Sequence, residues 1–165
     1  YQDGIGIKKN KPKAFICYQK SADTGNTNGI FELGNCYQNG IGIKKNKSKE
    51  FICYQKSANT GNADGIFELG NCYQNGIGIK KNKPKAFICY QKSADTGNTN
   101  GIFELGNCYQ NGIGIKKNKS KAFICYQKLA DTGNADAIFE LGNCYQNGIG
   151  VKKDEHKAST YFLTS

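Results

Sequence analysis

The feature that most constrains the fold is an internal repeat with a period of 36 residues. The string Tyr-Gln-Asn/Asp-Gly-Ile-Gly recurs along the whole 165-residue chain, beginning at Tyr1, Tyr37, Tyr73, Tyr109 and Tyr145. A chain of near-identical copies repeats any binding surface at regular spacing and does not easily build a unique catalytic centre. We therefore predict a single repeat domain over 1–165. Its units are 1–36, 37–72, 73–108 and 109–144, followed by a partial unit or cap at 145–165.

Each unit contains two apolar stripes with helical spacing. In the first unit, apolar and small residues within 14–22 lie three and four positions apart, which is typical of a helix with one buried face. Gly25 and Asn26 follow, a pair suited to ending one helix and capping the next. Asn39-Gly40 ends the second stripe; this pair is also typical of a β-hairpin, but the helical stripe before it favours a helix end. The prediction is an all-α chain of antiparallel helix pairs.

A glycine recurs in the middle of the second predicted helix of each unit. Glycine inside a helix costs about 1 kcal/mol relative to alanine, so its repetition needs a physical reason. We predict that another helix crosses closely at each of these positions. They are Gly34, Gly70, Gly106 and Gly142.

The spacing of ten residues across one copy resembles the pattern of the Sel-1-like repeat (SLR) family, relatives of the tetratricopeptide repeat. These residues are Leu33, Gly34, Tyr37, Gly40, Gly42, Lys49, Tyr54, Lys56, Ala58 and Gly61. The resemblance implies a right-handed α-solenoid of antiparallel helix pairs with a 36-residue period. It also implies a non-enzymatic scaffold or adaptor, without a cofactor, that binds other proteins or peptides, in some relatives within kinase-like or signalling assemblies. The chain departs from the pattern where a loop aspartate is replaced by Asn10, Asn46, Asn82 and Asn118.

In related solenoids the first helix of each family repeat lines the concave face, and in this chain that helix is 27–38. Its side away from Leu33 and Tyr37 carries asparagine amides that can hydrogen-bond a peptide backbone, with aromatic edges between them. We predict that this face binds a partner protein. The alternative is that its Glu and Asn residues are a solvated surface and its Phe residues part of the core. The candidate residues are Asn28, Phe31, Glu32, Asn35, Asp64, Phe67, Glu68, Asn71, Asn100, Phe103, Glu104, Asn107, Asp136, Phe139, Glu140 and Asn143.

The basic residues form a second candidate surface. All 23 are lysine, and 13 acidic residues leave a net charge of +10. Lysine pairs in the predicted loops would line up as a basic ridge that binds an acidic protein, a phospholipid or a nucleic-acid backbone. The alternative is a solvated edge that keeps the chain soluble. The absence of arginine disfavours sequence-specific nucleic-acid binding. The ridge residues are Lys8, Lys9, Lys44, Lys45, Lys80, Lys81, Lys116 and Lys117.

Few residues suit metal binding or catalysis. The eight cysteines lie on the apolar stripes, and no two have the C-x-x-C spacing of a zinc site. We predict packed free thiols and hence a reducing, cytoplasmic location; disulfides are the alternative, because some SLR relatives are disulfide-rich. The single histidine, His156, is predicted to lie on the surface of a terminal helix. No apolar run is long enough to span a membrane, and exposed solenoid ends would permit self-association.

Overall fold

The computed structural model describes residues 10–164, and all regular secondary structure in that range is helical. The helices are α1 (Lys11–Asp23), α2 (Thr27–Asn39), α3 (Lys47–Asn59), α4 (Ala63–Asn75), α5 (Lys83–Asp95), α6 (Thr99–Asn111), α7 (Lys119–Ala130), α8 (Ala135–Asn147) and α9 (Glu155–Thr164). We call α2, α4, α6 and α8 the A helices and the other five the B helices.

The helices belong to two compact units, Tyr1–Asn82 and Lys83–Ser165. The first contains α1 to α4 and the second α5 to α9. Within each unit, every helix packs against the next one along the chain. Because a helix of about 12 residues is marginal alone in water, this stacking supplies most of the stability. The predicted all-α arrangement of helix pairs is confirmed.

The helix ends are set by asparagine and glycine, as the sequence predicts. The side-chain oxygen of Asn26 accepts a hydrogen bond from the Gly29 amide at 2.8 Å, which satisfies one of the free N–H groups at the start of α2. At the other end, Gly40 adopts a left-handed conformation with φ of 73°, and its N–H donates to the Cys36 carbonyl at 2.9 Å. The same cap recurs at the end of each A helix. The hairpin alternative is wrong, since a helix precedes each of these Asn-Gly pairs.

The second glycine of each Gly-x-Gly loop allows the loop to touch an earlier helix. Gly42 has φ of 71°, and a Cβ atom on it would overlap the Lys11 carbonyl oxygen. The loop after each A helix therefore lies directly on the first turn of the preceding B helix, and only glycine fits both the conformation and the space. The other copies of this contact are Gly78 with Lys47, Gly114 with Lys83 and Gly150 with Lys119.

The mid-helix glycines are crossing points, as predicted. A Cβ atom on Gly34 would lie 2.6 Å from Cε1 of Tyr54, a tyrosine of the next B helix that is fully buried. Gly106 meets the buried Tyr126 in the same way, at 2.7 Å. The prediction is thus confirmed at both positions. Each crossing brings an aromatic ring of a B helix onto the backbone of the A helix before it.

The C-terminal segment continues the repeat with different side chains. The Asp154 carboxylate accepts from the Lys157 amide at 2.9 Å, as the loop asparagines do in earlier copies. Phe162 packs on Gly142, the place that Tyr126 takes on Gly106. Tyr161 stacks on Tyr145 with ring centroids 5.5 Å apart. Helix α9 therefore makes the contacts of a B helix.

Candidate functional site

The sixteen residues of the predicted partner-binding face all lie on the A helices, at four equivalent positions in each. The first position of each set is exposed, and the glutamate and the second asparagine are half-buried. The phenylalanine is half-buried in three copies, whereas Phe139 is 49% exposed. The exposed residues of the first position are Asn28, Asp64, Asn100 and Asp136.

The second asparagine of each set takes part in a network inside the protein. The Tyr54 hydroxyl donates to Oδ1 of Asn35 at 2.8 Å, and Nδ2 of Asn35 donates to the Glu32 carboxylate at 3.3 Å. The Tyr126 hydroxyl makes the same 2.8 Å bond to Asn107 in the second unit. Part of the hydrogen-bonding capacity that the sequence analysis assigned to a bound peptide therefore holds the A helix to the next B helix and orients the glutamate.

The phenylalanines rest against the same buried rings. Phe31 lies 5.8 Å from Tyr54 between ring centroids, and Phe103 lies 5.8 Å from Tyr126. Such tilted aromatic pairs contribute about 0.5–1.5 kcal/mol beyond their buried area. Phe31 and Phe103 are thus partly core and partly surface.

Helices α2 and α4 are also linked at their first turns. In the first unit, Nδ2 of Asn62, the N-cap of α4, lies 3.4 Å from Oδ1 of Asn28 on α2. The exposed ends of α2 and α4 therefore lie side by side. A partner that contacts one of them is placed next to the other.

The A helices contain no lysine, and all their charged residues are carboxylates. Burial raises the pKa of Glu68, and the nearby Asp64 raises it further, while the amide of Asn71 acts in the opposite direction. In a chain of net charge +10, these helices are thus an acidic region. The six residues are Glu32, Asp64, Glu68, Glu104, Asp136 and Glu140.

One buried carboxylate was not singled out from the sequence. Glu50 on α3 is only 4% exposed, and burial, followed by the charge of Glu68, raises its pKa. Its carboxylate is hydrogen-bonded by the side chain of Gln38. The sequence does indicate this burial, because alanine occupies the equivalent positions 86 and 122. Both alanines are fully buried. An ionisable side chain in an alanine slot is expected to be desolvated.

The lysine ridge is exposed where the structure describes it, and Lys8 and Lys9 lie outside the described residues. The exposed members are Lys44, Lys45, Lys80, Lys81, Lys116 and Lys117. A second row of lysines packs on aromatic rings: Nζ of Lys121 lies 5.3 Å from the centre of the Tyr109 ring. The same contact recurs for Lys49 on Tyr37.

All eight cysteines lie within the described residues and carry free thiols. Six are buried, Cys125 is half-buried and Cys17 is exposed, so the predicted packing fails at Cys17. Burial raises the pKa of Cys36 to about 11 and that of Cys108 to about 12, in both cases helped by a nearby glutamate. Such thiols stay protonated at neutral pH and are poor nucleophiles.

The described part of the chain contains no cluster of three or more His, Cys, Asp or Glu side chains that could hold a metal ion. Between residues 10 and 164, none of the helices combines the length and the hydropathy of a membrane span. His156 is exposed on α9, as predicted.

Comparison with solved structures identifies close structural relatives. A Sel1 repeat protein from Oxalobacter formigenes superposes with a TM-score of 0.91 at 32% identity, over 99% of this chain and 67% of that chain. Protein c5321, a protective antigen of uropathogenic Escherichia coli strains that displays an SLR fold, gives a TM-score of 0.94 at 29% identity. That match covers 100% of this chain but 35% of c5321, so the chain spans about a third of that protein.

A more distant relative is cysteine rich protein B of Helicobacter pylori, with a TM-score of 0.61 at 28% identity over 79% of this chain and 94% of that chain. The comparison with curated proteins found no match. The sequence profile of the Sel1 repeat matches five consecutive segments, 1–26, 27–62, 63–98, 99–134 and 135–163. The chain therefore belongs to the Sel1 repeat family, whose members generally serve as protein-interaction modules on a typically non-enzymatic helical scaffold.

Proposed function

We propose that this chain is a non-enzymatic scaffold that binds a partner protein through the exposed side of its A helices. The observation that carries the proposal is the recurrence of an exposed Asn or Asp beside a Phe, a Glu and an Asn at the same place on α2, α4, α6 and α8. Within each unit, two A helices present this repeated surface, which suits a partner segment that contacts both copies. The membership in the Sel1 repeat family supports a protein as the partner.

The contacts of the face differ from those expected from the sequence. The second asparagines hold the fold together through bonds such as Tyr54 to Asn35, so they act as positioning residues for the glutamates. Direct contact with the partner falls to the exposed first-turn residues, to the outer edges of the phenylalanine rings and to the glutamate oxygens. Because the A helices carry only negative charge, we propose a partner segment with basic and polar groups.

The test compares the proteins captured by two charge-reversal variants of the whole chain. The A-face variant is Asp64→Arg with Asp136→Arg, and the matched control is Asp23→Arg with Asp131→Arg. All four aspartates are exposed, and both variants change the charge equally, but Asp23 and Asp131 lie on or beside the B helices. Circular dichroism checks that both variants keep the helical fold.

The proteins captured by each variant are crosslinked to it and quantified by mass spectrometry. We expect a set of proteins that is retained by the wild type and by the control but reduced at least fivefold with the A-face variant. Equal recovery of every protein by the two variants would show that this face does not select a partner.

The lysine ridge is the second candidate, favoured by the full exposure of its described loop lysines. Binding to an acidic protein or polyanion through this ridge would weaken steeply between low and physiological salt, because exposed charges are screened. Partner binding through the A helices also involves charge, so charge variants separate the two candidates. Lys44→Gln with Lys45→Gln should release a partner that is held by the ridge, whereas the A-face variant should release a partner that is held by the A helices.

A further inference from the structure

A groove runs along the second unit between the B helices α5 and α7. It consists of three adjoining cavities of about 340, 390 and 380 Å³ that share Gln91. Its floor is formed by α6, with Leu105 and Tyr109, and Ile124 of α7 lies on its rim. None of the sixteen A-face residues lines these cavities. The groove is therefore a separate surface, on a different side of α6.

The groove combines an apolar lining with positive charge. Ile124 is 62% exposed and, together with Leu105 and Cys125, gives the groove an apolar lining. Lys116, Lys117 and Lys121 line one end of the groove, and no acidic residue lines that end. Lys128 and Asp95 both line the other end, where Asp95 accepts a hydrogen bond from Gln91 at 3.2 Å.

The pattern recurs along the sequence. In every B helix from α1 to α7, an exposed isoleucine lies between two lysines, three positions after one and four before the next. The isoleucines are Ile16, Ile52, Ile88 and Ile124. In the first unit Phe15 meets Tyr37 edge to face at 5.8 Å, and Lys49 covers the same Tyr37 ring. Phe87, Tyr109 and Lys121 repeat this arrangement in the groove.

We infer that this groove binds a short acidic segment of a partner protein, with leucine-like side chains against Ile124 and Cys125 and carboxylates at the lysines. Charge complementarity points to an acidic occupant, and the recessed floor between two helices favours a peptide. A flat bilayer would reach Ile124, which is 62% exposed, but not the half-buried Cys125 between the helices. A nucleic-acid base has no open ring to stack on, because Lys121 and Phe87 already cover Tyr109.

The probe is a panel of fluorescein-labelled peptides of about ten residues, each with two leucines two, three or four positions apart among glutamates. Binding to the whole chain is followed by fluorescence anisotropy. Matched peptides carry serine in place of leucine, or lysine in place of glutamate. Vesicles of phosphatidylserine and phosphatidylcholine, and a single-stranded oligonucleotide, serve as the alternative ligands.

The apolar contribution is tested by Ile16→Ser, Ile52→Ser, Ile88→Ser and Ile124→Ser combined. These isoleucines are exposed, so the fold is expected to persist, and the exposed Leu163→Ser is the control. The basic contribution is tested by Lys116→Glu with Lys117→Glu, against Lys92→Glu with Lys119→Glu. The control lysines are exposed, lie on α5 and α7 and do not line the groove.

We expect at least one leucine–glutamate peptide to bind and to lose about tenfold or more in affinity with the isoleucine variant. The Lys116 and Lys117 changes should weaken binding more than their control, and the serine and lysine peptides should bind poorly. Several results would overturn the proposal: no binding by any peptide up to millimolar concentration, equal binding of the serine peptide, equal losses in test and control variants, or binding of vesicles or oligonucleotide alone. The A-face variant should bind the peptide like the wild type, so failure here is distinct from failure of the proposed function.

Discussion

The close crossing of α6 and α7 predicts the effect of adding one methyl group at Gly106. In Gly106→Ala, the new Cβ atom would lie 2.7 Å from Cε1 of Tyr126, 3.1 Å from Cδ1 and 3.2 Å from Cζ. The tyrosine has no room to retreat, since it is fully buried, its hydroxyl is bonded to Asn107 at 2.8 Å, and its ring packs against Phe103.

The expected change in the free energy of unfolding of Gly106→Ala is the sum of opposing effects. Overpacking of a buried site costs about 1–3 kcal/mol, and a displaced Tyr126–Asn107 hydrogen bond adds about 0.5–1.5 kcal/mol. The better helix propensity of alanine returns about 1 kcal/mol. The net expectation is a destabilisation of about 2 kcal/mol, which lowers the melting temperature of a chain of 165 residues by about 4–8 °C.

The assay is thermal unfolding followed by circular dichroism, with Gly142→Ala as the matched variant. Gly142 meets Phe162, which is only half-buried and lies near the end of the terminal helix α9, so it can move aside more easily. We expect a smaller loss for Gly142→Ala than for Gly106→Ala. A Gly106→Ala protein that melts at or above the wild-type temperature would refute the close crossing.

Three further predictions concern single side chains. Tyr54→Phe removes the hydrogen bond to Asn35 and should lower the unfolding free energy by about 1 kcal/mol in a chemical denaturation titration; no change would show that the bond is not formed. Glu50→Ala should raise stability at pH 7 by about 1 kcal/mol, because it removes a buried carboxylate. Folding raises the pKa of Glu50, so the protonated side chain favours the folded state. This contribution to stability is present below the pKa in the unfolded chain, about 4.5, and is lost as the pH rises through the higher pKa in the folded chain. The gain from Glu50→Ala should therefore vanish in melts at pH 4, and a gain that is constant with pH would contradict this. Cys17, which is exposed, should react first with a thiol reagent, the half-buried Cys125 should follow, and the six buried thiols should react only after unfolding; rapid reaction of all eight would contradict the packing.

The local structure could be read from the sequence because it depends on neighbouring residues. Asn26 caps α2 through an amide three residues away, and Gly40 ends the helix through its own backbone conformation. The repeated Gly34 predicted a close approach because glycine is otherwise unfavourable inside a helix. In each case the hydrogen-bonding or conformational property of the residue type itself predicts the local structure.

The side-chain network of the site could not be read in this way. Asn35 and Tyr54 are 19 positions apart and meet only because two helices cross, and helical periodicity does not specify which side chains meet across a crossing. The groove between the B helices was missed for a different reason. The sequence does contain an isoleucine between two lysines in α1, α3, α5 and α7, but helical periodicity identifies the buried stripe and gives no role to the exposed Ile124.

The most direct test of the account places a photo-crosslinking amino acid at Asn100, on the exposed side of α6, or at Thr132, an exposed position in the turn after α7. If the A helices bind the partner, irradiation in cells gives a discrete covalent adduct with another protein from position 100 and none from position 132. Equal adducts from both positions, or an adduct from position 132 alone, would contradict the account.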